Sequence, residues 1–328
     1  MIDRLANLDA IASATASRTE GGWRALDLRV WDGIDVRLLP DRGFDCFGAW
    51  FGGVPLGWVS AVGESGPVPG RLRDDEWLRG FGGGLVATCG LRNVGQPSEG
   101  HGLHGEISHR PARDVRVSRW VDGDQVLVGA SASVAEVTAL GHHLELQRTW
   151  TVRTGEGLLE LVDLTRNLGR EPEPAPLLYH VNVGAPLWSP GATLSLDARR
   201  TIPYDADAVE PWDRALDVIP GARERVFEHE VAAGEDGWCS ATVDSAPTGL
   251  RLILRWEATT LPRMHQWVYP APGIAVLGLE PANCSVHGRG HDRAEGRLPV
   301  LEPGEERVTR LEVRVAPGDH SGAPTLTW

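Results

Sequence analysis

Apolar and polar residues alternate along most of the chain after residue 20. The pattern is clearest in Leu144 to Val152 (LELQRTWTV), Leu250 to Trp256 (LRLILRW) and Val308 to Val315 (VTRLEVRV). A period of two sends successive side chains to opposite faces, as in half-buried antiparallel strands. Turn-forming residues punctuate these runs: Asp-Gly at 32–33 and 122–123, Asn-Leu-Gly at 167–169, and Pro-Gly-Glu at 303–305. Helical periodicity is scarce, with short candidates at Arg4 to Ala12 and Arg71 to Leu78. Closely spaced strands without intervening helices predict an all-β fold, a large antiparallel β-sandwich rather than a doubly wound sheet. No composition break, low-complexity linker or internal repeat divides the chain. The expectation is one domain over 1–328, with 1–20 as an N-terminal extension carrying a short helix.

Composition narrows the chemistry. A chain of 328 residues with 41% hydrophobic content can bury a large core. The net charge of −13, with acids scattered among arginines and no basic patch, argues against nucleic acid, which needs a basic surface to displace counterions. All 32 basic residues are arginine. Without a lysine amine, Schiff-base aldolase, pyridoxal-phosphate and Walker-type nucleotide chemistry are excluded. The four cysteines, Cys46, Cys89, Cys239 and Cys284, contain no C-x-x-C, so they read as buried thiols in a reducing compartment rather than a zinc or redox motif. The start MIDRLANLDAIAS lacks the basic and continuous apolar regions of a secretory signal. The longest uncharged run, Pro174 to Leu196, is interrupted by prolines, glycines and polar residues and does not read as a membrane helix. The prediction is a cytoplasmic protein, monomeric or homodimeric, with no membrane partner.

Two dinucleotide and hydrolase signals are weak or missing. Gly80 to Gly84 (GFGGG) is followed by no helical pattern, so it reads as a turn or close backbone approach. No G-x-S-x-G occurs. The chemistry-bearing stretches are instead Leu177 to Pro186 (LLYHVNVGAP) and Gly278 to Cys284 (GLEPANC), which set His180 and Glu280 on two separate strand-like segments. An imidazole and a carboxylate so placed can act as acid and base on one small molecule.

The ordered series LLPDRGFDCFGAWFGGVPLGW, VATCGLRNVG, GLHGEISHRPA, Asp163 to Asn167 (D-x-x-x-N), LYHVNVG, GLEPANC and LEPGE resembles the galactose mutarotase (aldose 1-epimerase) superfamily, especially its bacterial aldose-epimerase-like branch. The resemblance implies a mutarotase-like supersandwich and a small-molecule carbohydrate as substrate. It implies that His180 protonates the sugar ring oxygen, that Glu280 takes the proton of the anomeric hydroxyl, and that His104 hydrogen-bonds the sugar near the same oxygen. A histidinium with a near-neutral pKa and a carboxylate with a somewhat raised one suit those roles, and no metal or organic cofactor is implied. Asn182 and Asn283 are expected to orient backbone or neighbouring side chains. Gln266 and Trp267 in HQWVY are candidate pocket residues, Trp267 as a sugar-stacking wall.

The chain departs from the pattern in places. The classical G-R-x-x-N-R motif is not reproduced, although GLRNVG offers Arg92 at a similar place, and the sugar-gripping aspartate has no motif match beyond Asp205 or Asp207. Glu106 stands where the branch commonly has arginine. This feeds a second reading: His101, His104 and Glu106 form H-x-x-H-x-E, a candidate divalent-metal set for a sugar isomerase. A third is a non-catalytic sugar-binding protein on the same sandwich. His287 and His291 have H-x-x-x-H spacing, but the intervening glycines oppose a helix that would bring them together.

Overall fold

The computed structural model describes residues 2–204 and 211–318. Among these, eleven strands form one antiparallel sheet and eight form another. The larger sheet runs Ala12–Arg18, Arg24–Val30, Ile34–Leu39, Asp45–Phe51, Val86–Gly90, Leu177–Val183, Val276–Ala282, Arg263–Tyr269, Arg225–Val231 and Ala198–Pro203, with Val54–Pro55 added against Asp45–Phe51. The smaller runs Ala192–Leu196, Trp238–Ser245, Leu250–Glu257, Glu306–Pro317, Leu158–Asn167, His143–Arg153, Gln125–Val137 and Arg113–Asp122. All three alternating runs picked out above lie in the smaller sheet, within His143–Arg153, Leu250–Glu257 and Glu306–Pro317.

The sheets pack face to face. Leu28, Val36, Val181 and Leu279 from the larger sheet share one core with Val128, Leu146, Leu161 and Leu254 from the smaller. A buried polar set crosses this core. Arg148 Nη1 donates to Asp45 Oδ1 at 2.5 Å, and Arg148 Nε and Nη2 donate to the two Asp163 oxygens at 2.9 and 2.6 Å. Tyr179 Oη donates to Asp163 Oδ2 at 2.7 Å. Arg148 and Asp163 are both 0% exposed. Buried charges survive only when paired and hydrogen-bonded, and here one guanidinium holds two carboxylates. Asn167, at the other end of D-x-x-x-N, donates to Glu171 O and Leu301 O and accepts from Gly169 N, closing the turn after its strand.

Several expectations of local structure are corrected. The N-terminal segment forms two short 3₁₀ turns, Ile2–Arg4 and Leu8–Ala10, rather than a helix over Arg4 to Ala12. Nor is it an extension: Ala12–Arg18 pairs along its whole length with Arg24–Val30 at the edge of the larger sheet. The expected helix at Arg71 to Leu78 is reduced to a 3₁₀ turn at Glu76–Gly80. A helix does form at Arg289–Ala294 despite its glycines. External bonds hold it there: Arg289 N donates to Asn93 Oδ1 (3.0 Å), Arg289 Nη1 to Arg92 O (2.8 Å), and Ser285 N to buried Asp292 Oδ2 (2.9 Å). His287 and His291 consequently do meet, with ring centroids 4.6 Å apart.

No helix among the described residues is long and apolar enough to cross a membrane. All four cysteines are buried and free.

Candidate active site

Four neighbouring strands carry the site: Val86–Gly90, Leu177–Val183, Val276–Ala282 and Arg263–Tyr269. Every residue of Leu177–Val183 and Val276–Ala282 is buried, because both faces are covered. Toward the sandwich core point Leu177, Tyr179, Val181, Leu277 and Leu279. The other face carries a smaller cluster of Trp77, Phe81, Ala87, Cys89, Leu178, Ala282 and Cys284. His180 and Glu280 lie on this second face.

Register brings them together. Asn182 pairs with Gly278 across one strand boundary, and His265 pairs with Glu280 across the next. His180 Nε2 then lies 3.2 Å from Glu280 Oε1. Gly278 makes room for the contact: a Cβ there would sit 2.9 Å from Glu280 Oε1 and 3.1 Å from His180 Cε1.

Aromatic rings wall the pair. Phe81 and Trp267 centroids are 5.3 and 5.4 Å from the His180 ring, and Trp58 lies 5.8 Å from both Phe81 and Trp267. The glycine cluster explains how Phe81 and Trp58 arrive. Gly83 and Gly84 have φ of +79° and +94°, and a Cβ at Gly83 would sit 2.5 Å from Trp58 O. This is the close backbone approach expected of GFGGG.

His104 enters from the loop between Val86–Gly90 and the Ile107–His109 turn, its ring 5.9 Å from His180 and 4.8 Å from Trp77. Its backbone is left-handed, at φ +55°, an uncommon state for a residue with a Cβ. Hydrogen bonds from Gly90 N to His104 O and from His104 N to Gly95 O, both 2.9 Å, hold it there. Gly95 N approaches His104 Nδ1 at 3.4 Å, which favours the tautomer with its proton on Nε2.

Burial governs the titration of all three groups. It lowers His180 to about 4, with the Asn182 side chain opposing. It lowers His104 to about 3, helped by His180 and His265. It raises Glu280 to about 8, with the Glu224 carboxylate adding to the effect. The near-neutral histidinium expected at position 180 is therefore not the resting form. At pH 7 the single proton of the pair sits on the carboxyl, because desolvation penalises both charged forms.

The remaining candidates divide. Trp267 belongs to the wall, its Nε1 donating to Glu224 Oε2 at 2.9 Å. Asn182 is on the site face, but its amide donates to Gly84 O and His180 O, both at 3.0 Å, which orients backbone. Asn283 likewise bonds only backbone, at Leu177 N and Ala175 O. Gln266 is a correction: it pairs with Leu279, on the core face, where Trp212 O and His229 Nε2 occupy its amide. Its neighbour Trp267 faces the site, so the alternation that admits one excludes the other. Arg92 also turns away, toward His142 Nδ1 at 2.9 Å and Glu173 at 3.6 Å. Asp205 and Asp207 lie outside the described residues.

The H-x-x-H-x-E set does not converge. His101 Nε2 meets Arg289 Nη1 at 3.0 Å, Glu106 pairs with Arg110 and accepts from Leu72 N, and His104 alone joins the site. Among the described residues no three His, Cys, Asp or Glu side chains are grouped to hold a metal.

Sequence reasoning left Trp58 and Trp77 among the other tryptophans that could line a sugar wall, and did not single out Phe81, Gly278, His265 or Glu224. Phe81 stands inside the glycine cluster, and an aromatic there was the available signal.

The architecture is that of galactose mutarotase-like proteins. It matches a protein from Klebsiella pneumoniae provisionally assigned as an aldose 1-epimerase, with a TM-score of 0.86 at 21% identity over 94% of this chain and 83% of that one. A galactose mutarotase-like protein from Clostridium acetobutylicum matches at 0.64 and 13% identity, over 94% and 99% of the two chains. A galactose mutarotase related enzyme from Lactobacillus acidophilus matches at 0.58 and 10%, over 94% and 99%. At these identities the likeness is one of fold. The chain belongs to the family described as a domain of unknown function (DUF4432), whose model matches residues 20–315. No curated protein matches the chain.

Proposed function

We propose that the protein is an isomerase that interconverts the anomers of a free sugar by acid–base ring opening at His180 and Glu280. The observation that carries this reading is the 3.2 Å contact between His180 Nε2 and Glu280 Oε1 on the aromatic-walled face of the larger sheet. Opening a cyclic hemiacetal requires one proton to reach the ring oxygen and another to leave the C1 hydroxyl. These two oxygens share a carbon, so an acid and a base in mutual contact can address both.

Between about 4 and about 8 the pair holds one proton and offers one donor and one acceptor. As the C1 hydroxyl gives its proton to the acceptor, the donor's proton passes to the ring oxygen and the C1–O bond to the ring breaks. The free aldehyde rotates about C1–C2, and the reverse transfers close the ring on the other face. For His180 to act as the donor, as the resemblance implies, the carboxyl proton first crosses to Nε2. His104, with Nε2 protonated, supplies a fixed hydrogen bond beside the same oxygen. Trp267 and Phe81 offer faces to the sugar C–H groups.

Saturation-transfer NMR between α and β anomer signals, over a panel of free aldoses and ketoses, tests the proposal. Exchange above the buffer rate for at least one sugar is expected. Conversion to a ketose without anomer exchange would overturn it.

A further inference from the structure

We infer that Glu224 is a positioning residue at the rim of this site: its contact with the indole fixes Trp267 as the wall beside His180 and Glu280. The inference rests on the reading of the site as sugar-binding. It starts from the indole contact, where Trp267 Nε1 donates to Glu224 Oε2 at 2.9 Å. Trp267 packs against the rings of His180 at 5.4 Å and Trp58 at 5.8 Å, with Tyr269 and Phe81 beyond at 6.3 and 6.4 Å, so the carboxylate helps orient a ring that bears directly on the pair. Glu224 precedes Arg225–Val231, and Val226 of that strand pairs with Trp267, which puts 224, 226 and Trp267 on one face.

The Glu224 carboxylate also bears on the Glu280 proton, which it helps burial to retain. The groups facing Glu280 are His180 and His265 on the two adjoining strands, the Cys89 thiol beyond them, and His104 from the loop. Burial keeps all of them uncharged at neutral pH, lowering the three histidines and raising the thiol. No guanidinium contributes to the shifts of His180, His104 or Glu280. Arg289 is engaged with Glu99 and His101, and Arg92 with Glu173 and His142. Glu224 is therefore the anionic group that reaches the pair, and it does so from between Arg223 and Arg225 in the sequence.

Two variants test this, and Glu224 is exposed, so each should fold. Glu224→Gln keeps an acceptor for the indole and removes the charge, whereas Glu224→Ala removes both. The first readout needs no turnover. The Glu280 carboxyl ¹³C titration, assigned by its loss in Glu280→Gln, should move to lower pH in Glu224→Gln, and the Trp267 indole N–H signal should shift in Glu224→Ala but stay near its place in Glu224→Gln. An unmoved titration together with an unmoved indole signal in Glu224→Ala would overturn the assignment. The second readout is binding of glucose by NMR line broadening, which should weaken about three- to tenfold in Glu224→Ala, as expected for one lost hydrogen bond, and recover in Glu224→Gln. Equal binding in all forms would overturn the positioning role. If no sugar undergoes anomer exchange but these shifts appear, the enzymatic reading fails and the role of Glu224 stands.

Discussion

Tyr179 and His180 are consecutive, yet they serve opposite sides of the larger sheet. Tyr179 Oη bonds Asp163 Oδ2 at 2.7 Å inside the sandwich, and His180 Nε2 meets Glu280 Oε1 at 3.2 Å outside it. The position of the imidazole is thus fixed from behind by a buried network that touches no substrate. This separates substitutions that stop the reaction from those that loosen the fold.

Glu280→Gln and His180→Asn should each fold and lose about 10²–10⁴ in turnover, the usual effect of removing a positioned acid or base. Sugar binding should change less than about tenfold, which is about 1.4 kcal/mol. The double variant should be little worse than either single one, since the two residues act as one unit. Anomer-exchange NMR with thermal melts checks both halves, and near-native turnover in either single variant would remove that residue from the mechanism.

The pair also predicts two pH limits. Turnover should fall as pH rises through about 8, where Glu280 loses its proton, and again as pH falls toward about 4, where His180 gains one. Stability follows the same groups. The folded state keeps a Glu280 proton that the unfolded chain has released above its ordinary pKa of about 4.3. Stability is accordingly lost as pH rises from there through about 8. Glu280→Gln removes this loss, so its melting temperature relative to wild type should increase between about pH 6 and about pH 9. A constant difference would show that the carboxyl titrates normally.

Gly278→Ala probes the space beneath the contact. No unusual φ bars alanine, but its Cβ would fall 2.9 Å from Glu280 Oε1. Displacing the carboxyl should cut kcat strongly while KM changes little, because misplacement of the reacting groups by about 1 Å can cost about 10²-fold. A kinetic split in the opposite sense would place Gly278 in binding instead.

Arg148→Met leaves Asp45 and Asp163 without their shared cation and should cost about 3–5 kcal/mol in denaturant unfolding. Tyr179→Phe removes one hydrogen bond from Asp163, which keeps both contacts from Arg148, and should cost about 1–3 kcal/mol. Folded Tyr179→Phe should retain most turnover, since its hydroxyl faces the core.

His101→Ala and Glu106→Gln test the metal alternative. Their partners are Arg289 and Arg110, so neither change should abolish anomer exchange, and a chelator should leave the rate unchanged. Loss of turnover on chelation, restored by manganese, zinc or iron, would instead favour an isomerase with a metal.

The smaller sheet was legible where its strands alternate, as in His143–Arg153 and Leu250–Glu257, whose buried residues face the core and whose intervening residues are more exposed. Leu177–Val183 and Val276–Ala282 carry no such contrast, since both faces are buried, and only their polar residues set them apart. Which neighbours they have is a matter of register, and register is invisible in a single chain. This is why His180 and Glu280 were named from their motifs while Phe81 was missed and Trp58 and Trp77 were not told apart from the other tryptophans. The same reason explains Gln266: next to Trp267 it looks equally placed, but a step of one residue along a strand crosses the sheet. The Arg289–Ala294 helix was hidden because partners outside it, Asn93 and Arg92, outweigh the cost of its glycine.

The depth of the pair has a consequence for isotopes. A proton lifted from the C1 hydroxyl by a group almost sealed from water exchanges slowly with solvent, so it can be handed back to the same sugar molecule. Sugar hydroxyls equilibrate with bulk water before binding, so in heavy water the hydrogen in flight is a deuteron. Anomer exchange should then slow in heavy water, and an unchanged rate would put sugar entry or release, rather than transfer inside the sheet, in control of turnover.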